Sequence, residues 1–211
     1  MPDFSLIRVS PSHKVIFSKV NYKEETELFN QLTSAKVDLS ELFDITNQNR
    51  KIEWMTIRSI LLATHSTSDD IVYDEHRKPY FKESNAHLSI SHSREMVAVS
   101  INANTITGID IQYISEKIIN IDRKFLNEKE LEISSKTPLE LSYYWSIKEA
   151  LFKVYGKKDA FLKNNIEVTD IRYSDKEGDA KGIIQCGDHY SEHQLKLSRL
   201  DNYVMAYVVN S

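Results

Sequence analysis

The stretch Trp145-Ser-Ile-Lys-Glu-Ala-Leu-Phe-Lys153 constrains this chain most, because it predicts part of one long helix with two different faces. Apolar side chains recur there at the three-and-four spacing of a buried stripe: Leu141, Tyr144, Leu151 and Tyr155, widened by Trp145 and Phe152. Trp145, Glu149 and Lys153 are four residues apart, so they share a face at the border between core and solvent. Most Glu-Lys pairs at this spacing are ordinary surface ion pairs. The helix alone therefore does not indicate a site.

The composition is that of an ordinary globular protein, with 41% hydrophobic and 27% charged residues among 211. A chain of this length can form one large domain or two small ones. The net charge of -4 gives no support for general nucleic-acid binding. Neither a signal peptide nor an apolar run long enough to cross a membrane is visible, and the single cysteine, Cys186, cannot form an internal disulfide. We expect a cytoplasmic monomer, with a small oligomer as the alternative, and no nucleic-acid or membrane partners.

The order of predicted elements indicates an α+β fold built from two similar halves. A predicted hairpin over residues 87–100 is echoed by a second one over residues 194–208. A helical pattern over residues 49–64 is likewise echoed by the Trp145 helix, although the two offsets differ and require insertions. We therefore expect halves at residues 1–105 and 106–211 that pack tightly as a pseudo-dimer.

Two arginines and a tryptophan occupy one face of the predicted helix over residues 49–64. Arg50, Trp54 and Arg58 are spaced four apart and form a cationic stripe with an aromatic ring between its ends. A solvated face, with arginine stems covering apolar surface, explains this pattern as well as anion binding does.

The stretch Thr107-Gly-Ile-Asp-Ile-Gln-Tyr113 predicts a strand with one apolar and one polar face. Ile109 and Ile111 face the core, so Asp110 and Gln112 point together to the opposite side. Gly108 leaves room for the approach of another backbone or a ligand. Together with Glu149, the two oxygen-bearing side chains would form a site suited to magnesium. The plainer alternative is an exposed Asp on a half-buried strand.

Gly108-Ile-Asp110, followed by the Trp145–Lys153 stretch, resembles the paired signature of the 4'-phosphopantetheinyl transferases. Arg77-Lys-Pro-Tyr-Phe81 is similar to the family's G-K-P turn, and Ser89-Ile-Ser-His-Ser93 to its I-S-H-S strand. Asn127-Glu-Lys-Glu-Leu131 resembles the polar helix start between the two main motifs. Motif order and spacing agree with the family, and the chain length indicates its tandem, surfactin-synthetase-activating type.

The resemblance implies an enzyme that moves 4'-phosphopantetheine from coenzyme A to a serine of an apo acyl- or peptidyl-carrier protein, releasing adenosine 3',5'-bisphosphate. It implies catalytic roles for Asp110, Glu149 and Lys153, and Mg²⁺ or Mn²⁺ held by Asp110, Gln112 and Glu149. The implied coenzyme A-binding residues are Arg50, Arg58, Lys78, Pro79, Ser91, His92 and Lys153. His92 would contact a phosphate as a donor or as a cation.

In this arrangement, the first half holds the nucleotide end of coenzyme A and the second half carries the metal and the chemistry. Trp145 would then clamp its helix against the first half.

Two positions depart from the family pattern. Gln112 stands where many members carry Glu, and Arg77 stands where glycine usually precedes Lys-Pro. Arg77 would either alter the adenine pocket or add a phosphate contact. The alternatives to a transferase are a catalytically degenerate coenzyme A-binding or scaffolding relative, suggested by Gln112, and an unrelated magnesium-dependent phosphatase or nucleotide hydrolase.

Overall fold

The computed structural model describes residues 2–65 and 71–210, except for the side chains of His65 and Asn210. Asp69 and Asp70, which we expect from the sequence to close the helical region that begins at residue 49, lie outside the described residues. The first half contains strands β1 (Ser5–Ser10) and β2 (His13–Lys19), helices α1 (Glu25–Ser34), α2 (Ser40–Asp44) and α3 (Gln48–His65), and strands β3 (Ile71–Tyr73), β4 (Pro79–Phe81), β5 (His87–Ser93) and β6 (Met96–Asn102).

The second half contains one strand, then helices, then four strands. They are β7 (Ile109–Tyr113), a 3-10 helix (Glu116–Ile121), α4 (Asp122–Phe125), α5 (Glu128–Ile133), α6 (Pro138–Tyr155), α7 (Leu162–Asn165), β8 (Ile166–Tyr173), β9 (Glu177–Cys186), β10 (His189–Leu200) and β11 (Tyr203–Asn210). Helix α6 begins after the Thr137 cap with Pro138 in its first turn, and ends at Gly156, whose φ of 74° only glycine adopts readily. Its ends thus follow local capping chemistry.

The two sheets share one topology. The first has the strand order β1-β2-β6-β5-β4-β3 and the second β7-β11-β10-β9-β8, and both are antiparallel throughout. If β7 is set over β2, every later strand of the second half falls on its counterpart in the first. In both halves an 18-residue helix precedes the four later strands. The predicted α+β fold of two similar halves is confirmed.

Each half has its own apolar core, and a third cluster joins them. This cluster combines Val15 and Ala98 of the first sheet with four residues of the second: Ile109, Ile111, Met205 and Tyr207. Ile109 and Ile111 are 0% and 1% exposed, so the prediction that they face a core is confirmed. The core that they face is the interface between the halves, which removes apolar area from water and fixes the two sheets together.

Strand β7 lies at the edge of its sheet, and serine side chains from the first half satisfy its free backbone N–H groups. The bonds run from the N–H groups of Ile109, Ile111 and Tyr113 to the Oγ atoms of Ser89, Ser91 and Ser93, at 3.1, 3.1 and 3.0 Å. Alternate residues of a strand share one face, which explains the spacing Ser-Ile-Ser-His-Ser. Three serines thus join the halves where a neighbouring strand would otherwise pair.

One expectation about the long helix is wrong. Trp145 meets Phe125 edge-to-face, with ring centroids 5.2 Å apart, and packs on the core of the second half. It therefore holds α6 within its own half and does not clamp it against the first. Among the described residues, no helix combines the length and the apolar character needed to cross a bilayer.

Candidate active site

Asp110 is the centre of the site. It is only 6% exposed, and its Oδ1 accepts hydrogen bonds from Ser91 Oγ at 2.8 Å and from Lys153 Nζ at 2.9 Å. Lys153 also donates to the Ile109 carbonyl at 2.8 Å, so its ammonium is held beside strand β7. Asp110 Oδ2 is buried and has no hydrogen-bond partner among the described residues. The alternative of an exposed Asp110 is therefore wrong.

Gly108 brings Asp110 to the helix. A Cβ at this position would lie 2.0 Å from the Ala150 carbonyl oxygen, so only glycine lets β7 approach α6 so closely. The predicted close approach at Gly108 is confirmed, and its neighbour is a helix backbone. Because Ala150 follows Glu149 directly, this contact places the Asp110 carboxylate beside the face of α6 that carries Glu149 and Lys153.

Two neighbouring charges shift the pKa of Glu149 in opposite directions. Burial, followed by the negative charge of Asp110, raises the pKa of the Glu149 carboxyl, while Lys153 acts in the lowering direction. Two neighbouring carboxylates and an unpartnered Asp110 oxygen form a donor set that a divalent cation would satisfy. No cluster of three or more His, Cys, Asp or Glu suited to a metal occurs within residues 2–65 and 71–210. The chain thus offers two carboxylates, which fits magnesium, an ion that usually keeps waters and substrate oxygens.

Gln112 has a different environment. Its Nε2 donates to the Tyr113 carbonyl at 3.1 Å. The side chain lines a second cleft of about 340 Å³ together with Arg94, Tyr113 and Trp145. Its role as a metal ligand remains a prediction, and its side chain bonds to its own strand and lines this second cleft.

A cation-lined cleft of about 180 Å³ lies between the halves. Its lining contains the predicted residues Lys78, Pro79 and Lys153 and also His76, Arg77, Leu88, Ser89, Ile90, Phe152, Gly156, Lys157 and Lys158. Five of the described lining residues are Lys or Arg and none is acidic, so the cleft attracts polyanions. His76, Lys157 and Lys158 were not predicted from the sequence. The Gly-Lys-Lys sequence at the end of α6 was the available signal.

The turn at residues 74–78 explains the glycine of the family pattern. Arg77 has a φ of 67°, in the left-handed region that favours glycine. Asp74 Oδ1 holds the turn by accepting from the backbone N–H groups of His76 and Lys78 at 2.9 and 2.8 Å. Arg77 thus keeps a glycine-like backbone and adds a cation to the cleft.

The side chain of Lys78, a residue of the first half, reaches the second half. Its Nζ donates to the Val154 carbonyl at 3.2 Å, and its stem packs on Gly156, where a Cβ would come within 2.9 Å of Lys78 Cδ. Burial lowers the pKa of the Lys78 ammonium, against the charge of Asp74. The residue therefore ties the G-K-P-like turn to the end of α6, at the wall of the cleft.

Arg50 and His92 meet at the other side of the site, together with Glu53, which was not predicted from the sequence. Arg50 Nη1 lies 2.8 Å from His92 Nδ1 and 2.8 Å from Glu53 Oε2. Burial, and then the charges of Arg50 and Lys153, lower the pKa of His92 to about 4. The imidazole is therefore neutral at pH 7, and the cationic role considered for it is not supported.

Arg58 is not brought to the cleft. Its Nη2 pairs with Glu41 Oε2 at 2.8 Å, and its guanidinium lies 4.3 Å from the ring centre of Trp54, which donates to the same carboxylate. Arg58 and Trp54 are each only 7% exposed, so they do not form a solvated face. A coenzyme A contact by Arg58 remains a prediction, and its contacts with Glu41 and Trp54 give this side chain a packing role.

Lys148, beside Glu149 in the sequence, points the opposite way. It is fully buried and pairs with Glu130, 2.7 Å away and 1% exposed. Glu130 also closes the capping box of α5 with Asn127 and accepts from the Val168 N–H. This buried pair fixes α6 to α5 and β8 and thereby fixes the position from which Glu149 projects.

Comparison with known proteins agrees with the resemblance. The family model described as "4'-phosphopantetheinyl transferase superfamily" matches residues 106–208, the half that carries Asp110, Glu149 and Lys153. The chain is also similar to the 4'-phosphopantetheinyl transferase gsp of Aneurinibacillus migulanus, with 28% identity over 158 residues. That match covers 68% of this chain and 66% of the relative, just under two thirds of the relative's length. In its motifs, its duplicated fold and these matches, the chain is similar to the 4'-phosphopantetheinyl transferase superfamily.

Proposed function

We propose that this protein transfers the 4'-phosphopantetheine group of coenzyme A to a serine of an apo acyl- or peptidyl-carrier protein. One observation carries the proposal: Asp110, Glu149 and Lys153 come together beside a cleft between the halves that is lined by cations. A cleft of this charge suits the pyrophosphate and the 3'-phosphate of coenzyme A. Carboxylates and a lysine beside it are the groups that phosphoryl-type transfer needs.

In the proposed reaction, the carrier serine Oγ forms a bond to the β-phosphorus of coenzyme A. The bond that breaks joins this phosphorus to the bridging oxygen, which leaves on adenosine 3',5'-bisphosphate. Glu149 accepts the serine proton, a role for which its raised pKa suits it. Lys153 stabilises the negative charge that develops on the leaving phosphate. Asp110 and the Ile109 carbonyl hold the Lys153 ammonium in place.

Asp110 and Glu149 would hold Mg²⁺ or Mn²⁺, which, when bound, neutralises charge on the pyrophosphate oxygens. The buried Asp110 Oδ2 without a partner supports this assignment. Gln112 would be the weakest of the three metal ligands, and it would contact the ion through its amide oxygen or through a water.

Lys78 and Pro79 would hold the nucleotide end of coenzyme A, and Ser91 would act by orienting Asp110. Arg50 and His92 would bind a phosphate at the other side of the site. Since both walls of the cleft come from one chain, a second copy is not needed to complete the site, which supports a monomer. We also propose that the protein acts in the cytoplasm.

The test incubates the protein with coenzyme A, Mg²⁺ and a panel of apo acyl- and peptidyl-carrier proteins, and reads the intact mass of each carrier. We expect at least one carrier to gain a single phosphopantetheine group. A degenerate relative would bind coenzyme A without adding mass to any carrier, even at saturating Mg²⁺ or Mn²⁺. A phosphatase would release free phosphate from nucleotides whether or not a carrier is present.

A further inference from the structure

Glu53 is a buried carboxylate to which the proposed reaction gives no role. It lies one turn after Arg50 on α3, and its side chain is 9% exposed. Its Oε2 accepts a hydrogen bond from Arg50 Nη1 at 2.8 Å and lies 3.4 Å from His92 Nδ1. A carboxylate is costly to bury unless it is paired, so its ion pair with Arg50 accounts for its presence there.

The two partners of Glu53 reach outwards from it. The side chains of Arg50 and His92 are 50% and 40% exposed, against 9% for Glu53. His92 follows Ser91 on β5, and Ser91 donates to Asp110. The positive charge of Lys153 contributes to the lowered pKa of His92, so these two side chains lie near each other. Glu53 therefore lies on the inner side of a pair that faces the candidate active site.

Holding Arg50 in place favours binding of an anion. A free arginine side chain loses rotamer entropy when a ligand immobilises it. Glu53 already holds Nη1, which leaves the remaining donors of the planar guanidinium for a phosphate. His92 is neutral at pH 7, so Arg50 supplies the charge of the pair, and the orientation of Arg50 matters correspondingly more.

We propose that Glu53 is a positioning residue that holds Arg50 and His92 as a preformed receiver for a phosphate of coenzyme A. This inference rests on the proposed function for the identity of the ligand. It assigns Glu53 an effect on coenzyme A binding and none on the chemical step, because the contacts of Glu53 are with Arg50 and His92, whereas Lys153 is the residue that pairs with Asp110.

The experiment measures coenzyme A binding by calorimetry in variants that separate the effect of the length of the Glu53 side chain from the effect of its charge. Glu53→Asp keeps the charge but shortens the side chain, and Glu53→Gln keeps the length and an acceptor oxygen but loses the charge. We expect Glu53→Asp and Glu53→Ala to weaken coenzyme A binding about tenfold, and Glu53→Gln to stay within about threefold of the wild type. KM for coenzyme A should rise in the same proportion, with kcat unchanged. Asp44→Asn, an exposed charge change in the same half, is the control.

A second comparison uses Arg50. Adding Glu53→Asp to Arg50→Ala should cause no further loss of binding, because the residue being positioned is already gone. If Glu53→Asp binds coenzyme A like the wild type, or weakens it equally without Arg50, the inference is overturned. Markedly tighter binding by Glu53→Gln would also overturn it, since Glu53 would then be a competitor of the phosphate. If Glu53→Ala does not fold, the Asp and Gln variants decide the question.

Different experimental results would contradict the proposed function and the role of Glu53. A wild-type protein that binds coenzyme A but modifies no carrier removes the proposed function and leaves the binding comparison intact. An active wild type with an unaffected Glu53→Asp variant removes only the role of Glu53.

Discussion

Ser91 Oγ donates to Asp110 Oδ1 across 2.8 Å while accepting the Ile111 N–H at 3.1 Å, so one hydroxyl links the first half to both the carboxylate and the backbone of β7. Ser91 is thereby an element of the half–half interface as well as of the site. One of its two hydrogen bonds holds Asp110 in position, and the other stabilises the contact between the halves.

Replacing Ser91 with Ala should therefore affect both properties. The buried Ile111 N–H loses its acceptor, which costs about 1–3 kcal/mol of unfolding free energy. The transfer rate should fall because Asp110 loses one of its two donors. Urea unfolding and the carrier assay measure the two effects. Ser5→Ala, at an exposed position of β1, should change neither, and a Ser91→Ala variant of wild-type stability would contradict the interface role.

Gly108→Ala should separate β7 from α6. The added Cβ would lie 2.0 Å from the Ala150 carbonyl oxygen, so the backbone must shift at a cost of about 3 kcal/mol or more. Thermal unfolding and transfer activity should both report the shift. Gly187→Asn is the control, because nothing lies within 4 Å of a Cβ there and Asn tolerates its φ of 57°. Equal effects of the two substitutions would show that the Gly108 contact is not limiting.

Arg77→Gly should improve stability while weakening coenzyme A binding. Removing a side chain from a left-handed residue relieves about 1–2 kcal/mol, partly offset by the greater freedom of glycine in the unfolded chain. We expect a net gain of about 0.5 kcal/mol in urea unfolding. Loss of one cation from the cleft should raise the Kd for coenzyme A about threefold at low salt.

Arg77→Asn separates these two effects. It also removes the charge but tolerates the left-handed backbone, so it should weaken coenzyme A binding to the same extent. Unchanged binding in both variants would place Arg77 outside the ligand contacts.

His13 should make stability depend on pH. It is 1% exposed, its Nε2 lies 2.8 Å from Ser100 Oγ, and burial lowers its pKa to about 4. Between pH 4 and about 6.5 the unfolded chain binds a proton at His13 that the folded chain does not, so stability falls as pH falls through this range.

From pH 7.5 to pH 5.0 this group should contribute a loss of about 2 kcal/mol. His92, whose pKa is also lowered to about 4, contributes in the same direction. His13→Asn, compared with the wild type by urea unfolding at both pH values, should therefore reduce the difference between the two pH values by about 2 kcal/mol and leave the His92 part. Identical differences in the two proteins would exclude His13 as the source.

Local pattern was sufficient for the elements and for part of the site. Hydrophobic periodicity predicted α3 and α6, and alternation predicted the two hairpins, because a buried face imposes the period of its element on the sequence. Gly108 was predictable as a point of close approach because so few residues tolerate one.

The remaining features depend on which elements pack together, and the sequence does not display this. Trp145 was assigned to the interface but packs on Phe125, and the pairing of Arg58 with Glu41 was not predicted. In each case the partner lies on another helix, and only the tertiary arrangement selects it. Glu53 was missed for the same reason, since its role appears only when β5 brings His92 beside Arg50.

The Mg²⁺ dependence of the transfer should differ between variants of Asp110 and Gln112, the two polar residues of β7. Asp110→Asn removes the carboxylate that lies beside Glu149, whereas Gln112→Ala removes a neutral side chain bonded to its own strand. We expect Gln112→Ala to raise the Mg²⁺ concentration needed for half-maximal transfer by about threefold to tenfold, with activity restored at saturating Mg²⁺. Equal, irreversible loss in both variants would show that Gln112 is as central as Asp110.

The most direct test is a time course of the intact mass of an apo carrier protein, incubated with coenzyme A, Mg²⁺ and either wild type or Asp110→Asn. We predict that the wild type adds one phosphopantetheine group to the carrier, and that Asp110→Asn binds coenzyme A but slows the transfer at least about a hundredfold. A wild type that binds coenzyme A yet leaves every carrier unmodified, or an Asp110→Asn variant that transfers at the wild-type rate, would contradict the assignment of this site.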